Sequence, residues 1–182
     1  MELAPVYDPL TPPAGLETAL MARTDAPMTQ AVRFLRARAI AFAPHTYPYE
    51  AHGGTHHAAR CLGVSEHAVV KTLVFETDGG RPLVMLMHGD CNVSTRQLAR
   101  KLGLRQVNPA SEAVAQKVTG YQVGGISPFG TRQSLPVYVE ATILELDRIY
   151  INGGKRGFLV EIDPMHLREA LNAQPVSVAL CT

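Results

Sequence analysis

The sequence predicts an α+β fold on a mixed sheet, held in one domain that follows a tail. Three observations carry that reading. Helix-period and strand-period segments alternate from about residue 28 to the end, the hairpin signal Thr77-Asp-Gly-Gly80 joins two strand-like runs, and helix caps recur between them. At 182 residues the chain fits one domain, and 46% apolar with 18% charged residues supply a sizeable core. No apolar run approaches the roughly 18 residues that span a bilayer. The first residues lack a basic start and an apolar segment, so no secretory signal is expected and a cytoplasmic location is. A net charge of +1 excludes a protein that coats long duplex nucleic acid, so any such contact must be local. Cys61, Cys91 and Cys181 are an odd, widely spaced set without a CxxC pair, which suits reduced thiols.

The elements follow in order. Residues 1–27 hold Pro5, Pro9, Pro12, Pro13 and Pro27 without a sustained period, and are expected to form a flexible tail with at most one helical turn near 16–22. Met28 is a candidate true start, and the folded domain is expected over 28–182. Residues 29–41 place Val32, Leu35 and Ala39 on one stripe of an amphipathic helix. Residues 43–49 read as extended, interrupted by Pro48. Thr55 is a plausible N-cap and Gly63 a stop for a short helix. Residues 69–75 and 82–88 read as paired strands. Ser94-Thr-Arg-Gln97 has the form of a capping box, and Gly103 ends that helix. Asn108-Pro109 predicts a further helix with proline at its first position. Residues 135–140, 148–152 and 158–162 read as strands. Asp163-Pro164 caps a last helix to Leu171, and 176–180 return as a strand.

The chemistry gathers at one lysine and two glycine loops. Lys71 interrupts the apolar run Val69-Val-Lys-Thr-Leu-Val-Phe75. Period two puts it on one face with Val69, Leu73 and Phe75, so it points into a cavity or snorkels from a sheet rim. The loops read Gly120-Tyr-Gln-Val-Gly-Gly-Ile-Ser-Pro-Phe-Gly130 and Ile151-Asn-Gly-Gly-Lys-Arg-Gly157. Such glycines expose N–H groups that side chains would cover, and suit an oxyanion; a bulge and a tight turn are the plainer reading. Ser127 lies in Ile-Ser-Pro rather than in a nucleophile-elbow pattern, which argues against a serine triad. His52, His56 and His57, with Cys61, offer zinc-ligand types but at no standard spacing, so solvated histidines are expected there and no metal. Arg96, Arg100, Lys101 and Arg105 form a basic stretch that is either a solvated face or a tRNA or partner contact, and Lys155 with Arg156 could meet a phosphate backbone.

Four blocks, Val70-Lys-Thr-Leu-Val, Thr119-Gly-Tyr-Gln-Val-Gly-Gly-Ile-Ser-Pro-Phe-Gly, Leu135-Pro-Val-Tyr-Val and Ile149-Tyr-Ile-Asn-Gly-Gly-Lys-Arg-Gly, resemble the YbaK family of aminoacyl-tRNA deacylases. That family is related to the editing domain of bacterial prolyl-tRNA synthetase. The resemblance covers about residues 28–173 and implies a compact α+β fold around a mixed, partly closed sheet flanked by helices. It also implies trans-editing, the removal of a wrong amino acid from tRNA, chiefly tRNA(Pro), without a cofactor. Lys71 matches the essential lysine, Gly124, Gly125 and Ser127 the catalytic loop, and Tyr47 an aromatic near the substrate. Three positions depart from the cysteine-specific members: Gly54 replaces phenylalanine, Glu140 aspartate and Asn152 serine. With Gly153 and Gly154 these are the expected substrate-binding residues, and their change argues for serine, threonine or alanine as well as cysteine.

An aminoacyl ester is already activated, so anchoring by Lys71 and an oxyanion site at Gly124 and Gly125 suffice without a protein nucleophile. A water positioned by the ribose hydroxyl, or the thiol of a cysteinyl substrate, would attack. The expected partner is the acceptor end of aminoacyl-tRNA, with prolyl-tRNA synthetase a candidate second one, and neither DNA nor a membrane. The competing readings are a non-catalytic module that captures tRNA ends or docks on a synthetase, and a metal-dependent hydrolase using the histidines.

Overall fold

The computed structural model describes residues 26–181. All of the proline-rich stretch but Ala26 and Pro27, including the turn expected at 16–22, lies outside them. Helix α1 (Gln30–Ala37) is capped by Thr29, whose hydroxyl accepts from the Val32 N–H, and it buries Ala31, Val32 and Leu35. It stops short of residue 41, where Ala39 takes a positive φ of 54°. Strand β1 (Ala43–Thr46) leads to α2 (Gly54–Leu62), which Gly63 ends in the left-handed conformation. The residue outside its first turn is Gly53, not Thr55. The Thr55 hydroxyl sits 2.8 Å from Glu66 Oε1 and 3.2 Å from Gly89 O, so it ties the helix to the next loop.

Strands β2 (Val69–Thr77) and β3 (Pro82–His88) form the expected hairpin. Strand β4 (Cys91–Val93) precedes α3 (Thr95–Lys101), capped by Ser94 accepting from Gln97 N–H. The helix expected from Asn108-Pro109 is instead strand β5 (Val107–Pro109). Proline pushes the preceding residue to extended backbone and lacks the N–H of a ladder, so an edge strand ending on Pro109 suits both. Ser111 caps the following α4 (Glu112–Thr119). Strands β6 (Val137–Glu140), β7 (Ile149–Lys155) and β8 (Phe158–Ile162) follow, and Asp163 caps α5 (Pro164–Leu171) as expected. The single strand expected at 176–180 is two, β9 (Gln174–Val176) and β10 (Ala179–Cys181).

The sheet runs β1-β8-β7-β2-β3-β6-β9, with β5 also on β2, while β4 and β10 pair separately. It is mixed: β2–β7, β3–β6 and β6–β9 are parallel and the other ladders antiparallel. One face carries the main core, in which Val70, Val84, Ile151 and Val160 meet α1, Phe129 and Leu167. On the other face Val69 and Leu159 pack under Ala58 and Ala59 of α2, and Phe75, Met85 and Met87 pack under Leu98 of α3.

The β4–β10 pairing overturns the expectation of three reduced thiols. Cys91 and Cys181 are register partners with α-carbons 4.3 Å apart, and their sulfurs are bonded across a separation of 90 residues. Sequence spacing carries no trace of such a pairing, because the two short strands meet only in the folded chain. Cys61 remains free and exposed.

The feature that positions the site is a split beside β2. Strand β3 covers one edge of β2 over Val70–Glu76. On the other edge β7 pairs only at Val69 and Val70, and β5 only from Phe75 to Thr77. Between them Lys71, Thr72 and Leu73 have no neighbouring strand on that edge, and the Val74 carbonyl accepts from Ala110 N–H.

Candidate active site

Lys71 lies at the split on the face expected from its period, with Val69 toward α2 and Phe75 toward α3. It neither enters a sealed cavity nor reaches freely to water. It is half-buried, and its ammonium donates to the Cys91 carbonyl at 2.5 Å. Burial holds its pKa below the ordinary lysine range, with Glu66 and Asp90 working in the opposite direction. An ammonium has three donors, so one is spent on β4 and two can meet a ligand. The hydroxyl oxygen of Thr72, the next residue and on the opposite face of β2, is buried without a partner among the described residues.

Asn152 follows Ile151, as Lys71 follows Val70, so both stand one residue past the last β2–β7 pair. Its amide nitrogen donates to the Gly124 carbonyl at 3.2 Å, and its amide oxygen accepts from Gly154 N–H at 2.8 Å. The residue expected to read the substrate side chain is therefore engaged at both ends with main chain. It joins the two glycine loops. Gly125 N–H donates to the Gln122 carbonyl at 2.9 Å, which commits the donor expected to face an oxyanion. Gly124 N–H has no acceptor among the described residues. A β-carbon at Gly125 would come within 3.0 Å of Arg156 N and 3.1 Å of Lys155 C, so the close passage of the loops requires glycine there. Ser127 is fully buried, and its hydroxyl accepts from Phe129 N–H. That braces the loop and keeps the oxygen from solvent.

The other expected residues separate into groups. Tyr47 donates its N–H to Gly157 O and packs on the α2 cluster, with burial raising its pKa. Gly54, exposed at φ 58°, has open space where a β-carbon would stand. Gly153 and Gly154 serve packing: a β-carbon would strike the Phe158 ring at the first and approach Tyr121 to 2.7 Å at the second. Glu140 is buried at 3% exposure, and one of its oxygens accepts from Val178 N–H, away from the loops. Arg96, Arg100, Lys101 and Lys155 are exposed and form no ion pair with a described residue. Arg156 differs, since its Nε donates to the Val123 carbonyl at 2.9 Å.

The histidines do not converge. His56 meets Glu66 at 3.2 Å and His57 meets Glu50 at 3.0 Å. Elsewhere His67, Asp90 and Cys91 bring ligand atoms within 4.8 Å of one another, but the Cys91 sulfur is bonded to Cys181. A cleft of about 400 Å³ bounded by Ser134, Tyr138, Leu171 and Gln174 lies beside β6 and β9 and shares no residue with the split. Sequence reading missed Tyr49, exposed beneath Arg156, and Cys91, whose carbonyl holds Lys71. The pair Tyr47-Pro-Tyr49 was a visible signal for the first; the second had none.

Residues 53–170 match the aminoacyl-tRNA editing domain family, more than half of the chain and all of the split, so the chain belongs to that family. Among curated relatives, an Enterococcus faecalis protein named "Putative Cys-tRNA(Pro)/Cys-tRNA(Cys) deacylase EbsC" is 26% identical over 147 residues, 80% of this chain and 90% of that one. A Geobacter metallireducens proline–tRNA ligase is 30% identical over 95 residues, 52% of this chain but 16% of the ligase. A solved structure titled as a "putative trans-editing enzyme for prolyl tRNA synthetase" shares the fold, with TM-score 0.75 over 85% of this chain and 99% of that one at 23% identity. No described helix is long and apolar enough to cross a membrane.

Proposed function

We propose that the protein is a trans-acting aminoacyl-tRNA deacylase that clears mischarged tRNA, chiefly tRNA(Pro), in the cytoplasm. The observation that supports this reading is the arrangement at the split beside β2, where the β2–β7 pairing ends one residue before Lys71 and one before Asn152, and Asn152 bonds the Gly124 loop. The two free donors of Lys71 hold a phosphate or ester oxygen of the terminal nucleotide, fixing the ester against the loop. Gly124 N–H, a loop donor without an acceptor among the described residues, stabilises the oxyanion as the carbonyl carbon becomes tetrahedral. A water adds to that carbon, the ester C–O bond breaks, and the tRNA ribose oxygen leaves with a proton. With cysteinyl-tRNA the substrate's own thiol takes the place of water and a thiolactone leaves. Arg96, Arg100, Lys101 and Lys155 supply tRNA contact through phosphate charge, and prolyl-tRNA synthetase is the proposed second partner. The test is deacylation of seryl-, threonyl-, alanyl- and cysteinyl-tRNA(Pro) by the purified chain, corrected for spontaneous hydrolysis. Rates equal to background on all four would end this reading.

A further inference from the structure

We propose that Arg156 is a positioning residue that, with Asn152, turns the Gly124 peptide so that its N–H faces the reacting ester. The inference rests on the deacylase reading above, and it takes Arg156 out of the tRNA-contact set in which the sequence had placed it. Arg156 follows the irregular end of β7, where the pairing with β8 shifts between Asn152 and Lys155. Its Nε–H is spent on the Val123 carbonyl, and its guanidinium carbon lies 5.3 Å from the centre of the Tyr49 ring. A β-carbon on Gly124 would stand 3.2 Å from Arg156 Nε and 3.1 Å from the Tyr49 hydroxyl, so arm and ring close over the Gly124 α-carbon. That cover, with a φ of 87°, accounts for glycine at 124.

The consequence follows from peptide planarity. The Val123 carbonyl and the Gly124 N–H belong to one trans peptide, so drawing the oxygen to Arg156 turns the N–H to the opposite side. In the next peptide the Gly124 carbonyl is held by Asn152, and the Gly125 N–H returns to Gln122. Across the two peptides both carbonyls and one N–H are held by the protein. The Gly124 N–H is left for a ligand. Lysine could not do this work, because an ammonium on a flexible stem offers neither the fixed Nε–H nor a flat face for Tyr49.

Arg156→Lys and Arg156→Ala in the full chain, with Asn152→Asp as a third variant, test the proposal by single-turnover deacylation and by binding of uncharged tRNA(Pro) across a salt series. Asn152→Asp keeps the acceptor for Gly154 and removes the donor to Gly124, so it reports on the same peptide without touching a cation. All three should lower the deacylation rate about ten-fold to thousand-fold, the range for loss of an oxyanion donor. Their tRNA affinity should change by no more than about two-fold, and the salt slope of the arginine variants should stay that of wild type. Wild-type turnover by Arg156→Lys, or a loss expressed only as weaker and less salt-dependent tRNA binding, would overturn the inference while leaving the deacylase reading in place. A wild-type chain inactive on every ester would overturn both.

Discussion

The ammonium of Lys71 and the main-chain carbonyl of Cys91 meet at 2.5 Å across 20 residues of sequence. The contact ties the cation of the site to β4, and β4 is in turn bonded through Cys91 to the last strand. Through that bond and the β4–β10 pairing the last strand is tied to the strand whose carbonyl holds Lys71.

Lys71→Ala should lower kcat/KM at least about a hundred-fold, and Lys71→Arg should recover little, since a planar fork does not replace a compact ammonium. The fold should persist, because the deleted group is a half-buried cation whose partner is a single carbonyl. A melting temperature within roughly 4 °C of wild type would match. Near-normal turnover by the alanine variant would remove Lys71 from the site.

The same lysine should set the alkaline limit of the proposed activity. Its pKa lies below the ordinary lysine value of 10.5, chiefly through burial. On the proposed reading the charged form holds the substrate, so kcat/KM should fall as pH rises through that lowered pKa, after correction for spontaneous ester hydrolysis. A profile that stays flat as pH rises through the ordinary lysine value of 10.5 would contradict the assignment.

Acid should act on stability through His88. This residue is fully buried, donates from Nδ1 to the His67 carbonyl and accepts at Nε2 from Thr142, while the His67 ring stacks on it at 3.6 Å. Burial lowers its pKa, with Asp90 and Glu140 opposing. Between the lowered value and about 6.5 the unfolded chain binds more protons than the folded one, so stability is complete above that window and declines as pH falls through it. Unfolding midpoints measured from pH 7.5 to 5 should show this decline in wild type and a smaller one in His88→Gln.

Thiol titration of the denatured, unreduced chain should find one reactive cysteine, Cys61, and three after reduction. Cys181→Ser should destabilise the fold by about 2–4 kcal/mol, the usual range for a bond closing a long loop. Three thiols before reduction would show that the strands pair without the bond.

The Asn152 amide is already bonded to Gly124 and Gly154, so specificity is predicted from Gly54 rather than from Asn152. At exposed Gly54 a β-carbon would meet nothing within 4 Å, so no side chain there would narrow an acceptor pocket, and a pocket that sorts by apolar fit alone discriminates a methylene by only about 1–3 kcal/mol. Seryl-, threonyl- or alanyl-tRNA(Pro) should therefore be hydrolysed measurably. A cysteinyl preference above about a hundred-fold in kcat/KM would refute the pocket argument.

Much of this was legible in local chemistry. The alternation of Val69–Phe75 placed Lys71 on the right face, and Ser94, Gly63 and Asp163 marked helix ends correctly. The error came where a local signal competed with a distant partner: Asn108-Pro109 looked like a helix start until β2 offered an edge to pair with. What local chemistry did not show was that Gly125 N–H closes a turn on Gln122 and that Arg156 Nε–H goes to the Val123 carbonyl.

The sequence by itself determined the order of elements, the α+β class, the membership of the lysine and the two loops in one family pattern, and the glycines that let backbone pass backbone. These follow from side-chain period, caps and the missing β-carbon, all of which act within a few residues. Only the tertiary structure decided that β7 and β5 leave Lys71 at a gap in the sheet, that Cys91 bonds Cys181, and that Gly125 N–H is taken by Gln122 while Gly124 N–H has no acceptor among the described residues. Those outcomes depend on which distant strands share an edge. Pairing of that kind is set by the packing of the whole sheet, and no local period encodes it.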